Sequence, residues 1–261
     1  MALRRRFAFW LALFCLAALW PFPAVRGEEA SVRRERALLI GVDDFVTQPS
    51  AYPSSTNNVY AMQEMFQSAA TPLEKIMFPA EPVSSVEQLT ELIRRVFGGA
   101  EAGDVSYLYI STHGLYDPEN GVEPALLLSD GQTENRLTPK ALEAAFDGIS
   151  GTKVLILDAC NSGAFIGKGM TEWDEPPCFL GDDFKVITSS GAREESWYWS
   201  VDDQNESGMA GQGSFYFTQA LAQSLSAAYG YPADQNRDGC VVLSELYEYL
   251  VLNHAASTPQ V

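Results

Sequence analysis

The sequence predicts an α/β fold with a mostly parallel sheet flanked by helices on both faces. Runs of strand length recur along the chain as "RALLIGV", "EKIMFPA", "DVSYLYIST", "TKVLILDA" and "FKVITSS". Helical patterns separate them, and that alternation is what a parallel sheet with crossover helices requires. No Gly/Ser linker or internal repeat divides the chain, so one sizeable core is expected.

Taken in order, the first helix follows "RALLIGV" and carries Asn57 and Asn58. Val86, Leu89, Ile93 and Val96 recur at helical spacing behind a Ser84/Glu87 capping box. Thr138 followed by Pro139 starts another helix. A further one begins near Ser214, with Phe217, Leu221 and Leu225 on one face. These apolar stripes read as core packing. A last helical pattern closes the chain, with His254 near its end.

Residues 1–27 read as a secretory signal peptide: Arg4, Arg5 and Arg6 precede an apolar run from Phe7 to Trp20, and Pro21 and Pro23 break it. That run falls short of the ~20 residues that span a bilayer, so no stable membrane insertion is expected after cleavage, and a secreted or periplasmic location follows. Residues 28–35 form an N-terminal segment and 36–261 the folded domain. Cleavage removes four arginines and no carboxylate, moving the formal charge from −17 to −21. So acidic a chain repels nucleic acid and anionic lipid and favours cationic substrates or metal ions, although solubility alone accounts for the total equally well. Cys160, Cys178 and Cys240 remain, an odd number. An odd count in an oxidising compartment leaves at least one unpaired or paired between chains, and if Cys178 and Cys240 bridge, Cys160 is the free thiol.

"KVLILDACNSG", Lys153 to Gly163, ends an apolar strand on Asp158 and Cys160 and then breaks into turn residues. A cysteine there is held on rigid backbone and presented to the crevice at the strand ends, where open α/β sheets place their chemistry. Its partner is sought among two histidines. His113 follows "VSYLYIST" and precedes Gly114, so adjacent parallel strands bring His113 and Cys160 to one edge. An imidazole beside a thiol favours the nucleophilic thiolate and donates a proton to the leaving amine. Gly114 removes a side chain beside the reacting carbonyl, and its N–H with that of Cys160 forms a candidate oxyanion hole.

"RALLIGVDDF", "STHG", "LDACNSG" and "GSFYFTQAL" together resemble the caspase-like cysteine peptidases, which include caspases, metacaspases and bacterial relatives. The 47 residues between His113 and Cys160 are similar to the spacing of about 50 in caspases. The resemblance implies a three-layer sandwich, a His113/Cys160 dyad and peptide-bond hydrolysis through an acyl-enzyme, with a peptide or protein as substrate. It also implies that Asp158, two positions before the cysteine, binds a basic side chain before the scissile bond, as in metacaspases. The second metacaspase acid corresponds to the pair Asn57 and Asn58, so one of two pocket carboxylates is replaced. Asp158 as an acceptor for loop N–H groups is the other reading. In "TSSGAREESWYWS", Trp197 and Trp199, with Tyr198, wall the cleft or pack against the core.

"DQNRDGCVVLSE", residues 234–245, fits the EF-hand loop pattern at each specified position. Asp234, Asn236 and Asp238 offer side-chain oxygens, Cys240 its carbonyl, Glu245 two oxygens, and Gly239 the sharp turn. Calcium is the expected ion, as a staple rather than a participant in the chemistry. A polar turn capping the last helix is the alternative. The functional expectation is therefore a secreted cysteine endopeptidase. A catalytically silent caspase-fold binding module and a cysteine transpeptidase are its rivals.

Overall fold

The structure, a computed structural model, describes residues 33–170, 178–201, 212–253 and 257–261. The leader and His254 lie outside the described residues. The elements in chain order are β1 (Glu35–Gly41), α1 (Ser54–Gln67), β2 (Lys75–Met77), α2 (Val86–Phe97), β3 (Val105–Ser111), β4 (Gly114–Asp117), β5 (Val122–Ser129), β6 (Glu134–Leu137), α3 (Pro139–Ala145), β7 (Thr152–Asp158), β8 (Phe184–Thr188), β9 (Tyr198–Val201), β10 (Gln212–Phe215), α4 (Tyr216–Ser224) and α5 (Leu243–Asn253).

The five strand-like runs form one parallel sheet in the order β2-β1-β3-β7-β8. Successive side chains of a strand point to opposite faces, and both faces here are apolar. Leu38, Ile40, Leu108, Ile110, Leu155 and Leu157 pack with Leu89, Ile93 and Phe97 of α2 and Leu142 of α3. Ala37, Leu39, Tyr109, Ile156 and Ile187 pack with Met62 and Phe66 of α1, Phe217 and Leu221 of α4 and Leu250 of α5. The result is the expected mostly parallel sheet covered by helices on both faces.

Local differences have local causes. The capping box of α2 is Ser85/Gln88 rather than Ser84/Glu87. Ser84 is buried in the preceding turn, where its carbonyl accepts from Asn135 Nδ2 at 2.8 Å, so the helix starts one residue later. Helix α4 begins at Tyr216 because Ser214 is paired in β10 opposite Trp199 and its hydroxyl donates to Asn58 Oδ1. Thr138 caps α3 with Pro139 in its first turn, as expected. Two small antiparallel sheets, β4-β5-β6 and β10-β9, stand beside the main one. Among the described residues no helix is long and apolar enough to cross a membrane.

Candidate active site

The β3/β7 register runs from Val105↔Thr152 to Ser111↔Asp158. His113 and Cys160 each follow the last pair by two residues, so both stand at the carboxyl edge of the sheet. The ladder continues one step, with Thr112 N–H donating to the Asp158 carbonyl at 3.2 Å. Beyond it the two chain segments touch: a Cβ on Gly114 would lie 1.8 Å from the Cys160 carbonyl oxygen. No side chain fits there, which is the physical reason for glycine after His113. Cys160 is followed by Asn161 in the left-handed region at φ 56° and a 3-10 turn over Ser162–Ile166.

His113 is held by the segment after β1. Its Nε2 lies 2.9 Å from the Pro49 carbonyl, and the Phe45 ring packs on it at 4.5 Å between centroids. A carbonyl only accepts, so Nε2 is the donor in this contact. The His113 backbone is fixed as well, its carbonyl accepting from Leu127 N–H of β5 at 2.9 Å.

The Cys160 sulfur is engaged by Ser196, which donates its N–H to Sγ at 3.3 Å and accepts from the thiol at its carbonyl, 3.6 Å away. Burial pushes the thiol above its ordinary range. The Ser196 N–H opposes that shift, and the charges of Glu195 and Asp158 reinforce it. At neutral pH Cys160 is therefore a thiol and not a thiolate.

Asp158 is fully buried. Ser196 Oγ donates to one carboxylate oxygen at 2.9 Å and Thr218 Oγ1 to the other at 2.7 Å. Burial moves its pKa up to about 6, against the pull of those hydroxyls. Thr218 also meets the buried Tyr109 hydroxyl at 2.6 Å. Asn58 is equally enclosed: Oδ1 accepts from Ser214 Oγ and Phe215 N–H, and Nδ2 donates to Ser111 Oγ. Asn57 Nδ2 donates to the Gly213 carbonyl at 2.9 Å. Trp197 is 54 % exposed, whereas Tyr198 and Trp199 are half-buried. The Trp199 carbonyl accepts from Ser54 Oγ and the Trp197 carbonyl from Tyr216 N–H, which ties this loop to α1 and α4.

Sequence reasoning missed Pro49, Phe45, Ser196 and Glu194. Pro49 and Ser196 act through backbone groups, which carry no side-chain signal. Glu194 joins the same loop to the C-terminal segment: its carboxylate accepts from Gly191 N–H, Thr258 N–H and Thr258 Oγ1, and its carbonyl from Asn161 N–H beside Cys160.

In the loop 234–245, Asp234 accepts from the N–H groups of Asp238 and Gly239, Asn236 Oδ1 from Asp238 N–H, and Asp238 from Cys240 N–H. Gly239 stands at φ 84°, the left-handed turn the pattern requires. Glu245 accepts from Val242 N–H at the start of α5. Among the described residues no three His, Cys, Asp or Glu side chains are gathered as a metal cluster. Cys240 is exposed on this loop and Cys178 is packed against the α2/α3 core, and no disulfide joins them.

The model of the CHAT domain matches residues 12–174, a span that contains His113, Gly114, Asp158 and Cys160. No curated protein sequence matches the chain. Among solved structures, the crystal structure of caspase-1 from Spodoptera frugiperda is similar with a TM-score of 0.50 and 15% identity, over 87% of this chain and 84% of that one. At that identity the likeness carries the fold alone, and it agrees with the parallel sheet and its two helical layers. The domain is caspase-like, and with a family match over more than half of its length the chain belongs to the CHAT domain family.

Proposed function

We propose that the chain is a secreted cysteine endopeptidase that hydrolyses peptide bonds through a His113/Cys160 dyad and an acyl-enzyme. The observation that carries this reading is the β3/β7 register, which sets imidazole and thiol on touching segments at one sheet edge. In the reaction, Sγ turns from Ser196 toward the substrate carbonyl while Nδ1 of His113 takes the thiol proton. The developing oxyanion faces the backbone N–H groups of Gly114 and Cys160. His113 then passes its proton to the departing amine, and water releases the acyl group.

The side chain before the scissile bond is basic in this reading. Ser196 covers both the sulfur and Asp158, so a substrate that displaces it uncovers nucleophile and carboxylate together. Trp197 supplies apolar wall beside them. Cleavage of a peptide library tests the reading: wild-type protein should cut after Arg or Lys, and Cys160→Ala should not cut. Turnover retained by purified Cys160→Ala would overturn the mechanism, and a profile favouring acidic residues would overturn the pocket.

Calcium at residues 234–245 belongs to the same proposal as a structural ion. Hard oxygen donors at Asp234, Asn236, Asp238, the Cys240 carbonyl and Glu245 suit it, and the Gly239 turn supports the loop path. It takes no part in the chemistry.

A further inference from the structure

The base of the proposed dyad is held by a segment that is tied down at both ends, the Asp43 carboxylate accepting from Ser55 N–H, Thr56 N–H and the Thr56 hydroxyl. Between β1 and α1 the chain carries the two groups that set the His113 ring, Phe45 and Pro49. Its near end is fixed by Val42 N–H to the Ser111 carbonyl at 3.0 Å. Its far end is fixed by Ala51 N–H and Ser50 Oγ to the Asp43 carbonyl, at 2.8 and 3.0 Å. Between these points lies an exposed turn at Val46 and Thr47, whose partner is one carboxylate. Glu134 Oε2 accepts from Val46 N–H at 2.8 Å and Thr47 N–H at 3.3 Å, and Oε1 accepts from the Thr47 hydroxyl.

Glu134 opens β6, the partner of β5. The turn of that hairpin is closed by Asp130, which accepts from Gln132 and Thr133 N–H, with Gly131 at φ 79°. The same β5 holds the His113 carbonyl through Leu127 N–H, and the Leu127 carbonyl accepts from Thr112 Oγ1 at 2.6 Å. The small antiparallel sheet therefore fixes the histidine backbone with one strand and the support of its ring with the next.

We propose that Glu134 is a positioning residue for His113, clamping the 46–47 turn so that Phe45 and the Pro49 carbonyl hold the imidazole in its reactive orientation. This rests on the reading of His113 as the base. Burial works against the charge of Glu134, but the Thr47 hydroxyl, the two N–H groups and the neighbouring imidazole outweigh it and keep the carboxyl below its ordinary range. The clamp is thus ionised at neutral pH, and its hydrogen bonds are of the stronger, charge-assisted kind.

The test compares Glu134→Ala, Glu134→Gln and His113→Ala in the full chain. Peptide turnover is measured alongside the iodoacetamide alkylation rate of Cys160, followed on its own tryptic peptide. Loss of ring placement by about 1 Å costs about 10²-fold in rate. Glu134→Ala should therefore lower kcat by about that factor with KM little changed, and slow Cys160 alkylation toward the His113→Ala level. Glu134→Gln keeps one acceptor oxygen and should recover part of both. Wild-type kcat and alkylation in folded Glu134→Ala would overturn the proposal, as would kcat and KM changing only in step with the folded fraction. Should Glu134→Ala not fold, Thr47→Val removes only the hydroxyl contact, and an unchanged kcat there overturns the clamp. An alkylation rate indifferent to His113→Ala would overturn the dyad itself, a failure visible before any Glu134 variant is compared.

Discussion

Asp158→Asn perturbs the most deeply enclosed charge beside the proposed nucleophile. The substitution keeps shape, retains one acceptor for Ser196 or Thr218 and offers an N–H to the other hydroxyl. What it removes is the cost of ionising a carboxyl with no exposure to water. A pKa moved from 3.8 up to about 6 opposes ionisation by about 3 kcal/mol, at about 1.4 kcal/mol for each tenfold change in proton affinity. The folded chain holds this proton more tightly than the unfolded chain. Its contribution to stability is therefore full below pH 3.8 and is lost as pH rises through about 6. Between about pH 4 and about pH 7.5 the wild type should lose about 2–3 kcal/mol that Asp158→Asn keeps. Urea unfolding of both proteins across that range measures the difference, and the shared net charge cancels in it. Parallel pH–stability curves would refute the reasoning, because they would mean that Asp158 is not held away from its ordinary range.

Gly114→Ala places a methyl on the Cys160 carbonyl. It should destabilise by about 1–3 kcal/mol, read by denaturant unfolding, and lower kcat of the proposed peptidase by about 10²-fold as the His113 and Cys160 segments separate. Near-wild-type values for both would mean that the segments do not touch. Millimolar calcium should raise the melting temperature, and Asp234→Ala with Glu245→Ala should cancel the rise, since an ion that binds only the folded loop stabilises it by mass action. Magnesium should do less. No calcium heat on titration and an unchanged melting temperature in chelator would reduce residues 234–245 to a polar turn.

The parallel sheet was legible because β1, β3 and β7 are buried on both faces, and the near-continuous apolar runs that this produces stand out from their surroundings. The antiparallel strands left no such mark. β5 carries Pro124 at its start and then three consecutive leucines, a pattern that neither alternates nor separates strand from helix. The positions of His113 and Cys160 were legible for the same reason as the sheet, each lying just past the end of such a run. What orients them was not. The Pro49 carbonyl and the Ser196 N–H are groups that nearly any residue offers, and only the fold brings them to the imidazole and the sulfur. Glu134 lies 21 residues after His113 in an acidic chain, where one more glutamate draws no notice.

The charge of Asp158 also bears on how the proposed reaction starts. Together with burial and Glu195 it raises the Cys160 pKa, so it works against a resting thiolate. Ser196 binds both groups, its hydroxyl to Asp158 and its backbone to the sulfur, and neither is free while that residue stays. A cationic side chain that displaces Ser196 would neutralise Asp158 and so remove one of the charges that disfavour the thiolate. In the proposed enzyme, recognition and activation are then a single event: the basic group before the scissile bond selects the substrate and lowers the cost of ionising the sulfur that attacks it. A neutral side chain of similar size would move Ser196 but leave the anion in place. Its disadvantage would fall on kcat as well as KM, because the lost interaction is one that strengthens as the thiol gives up its proton.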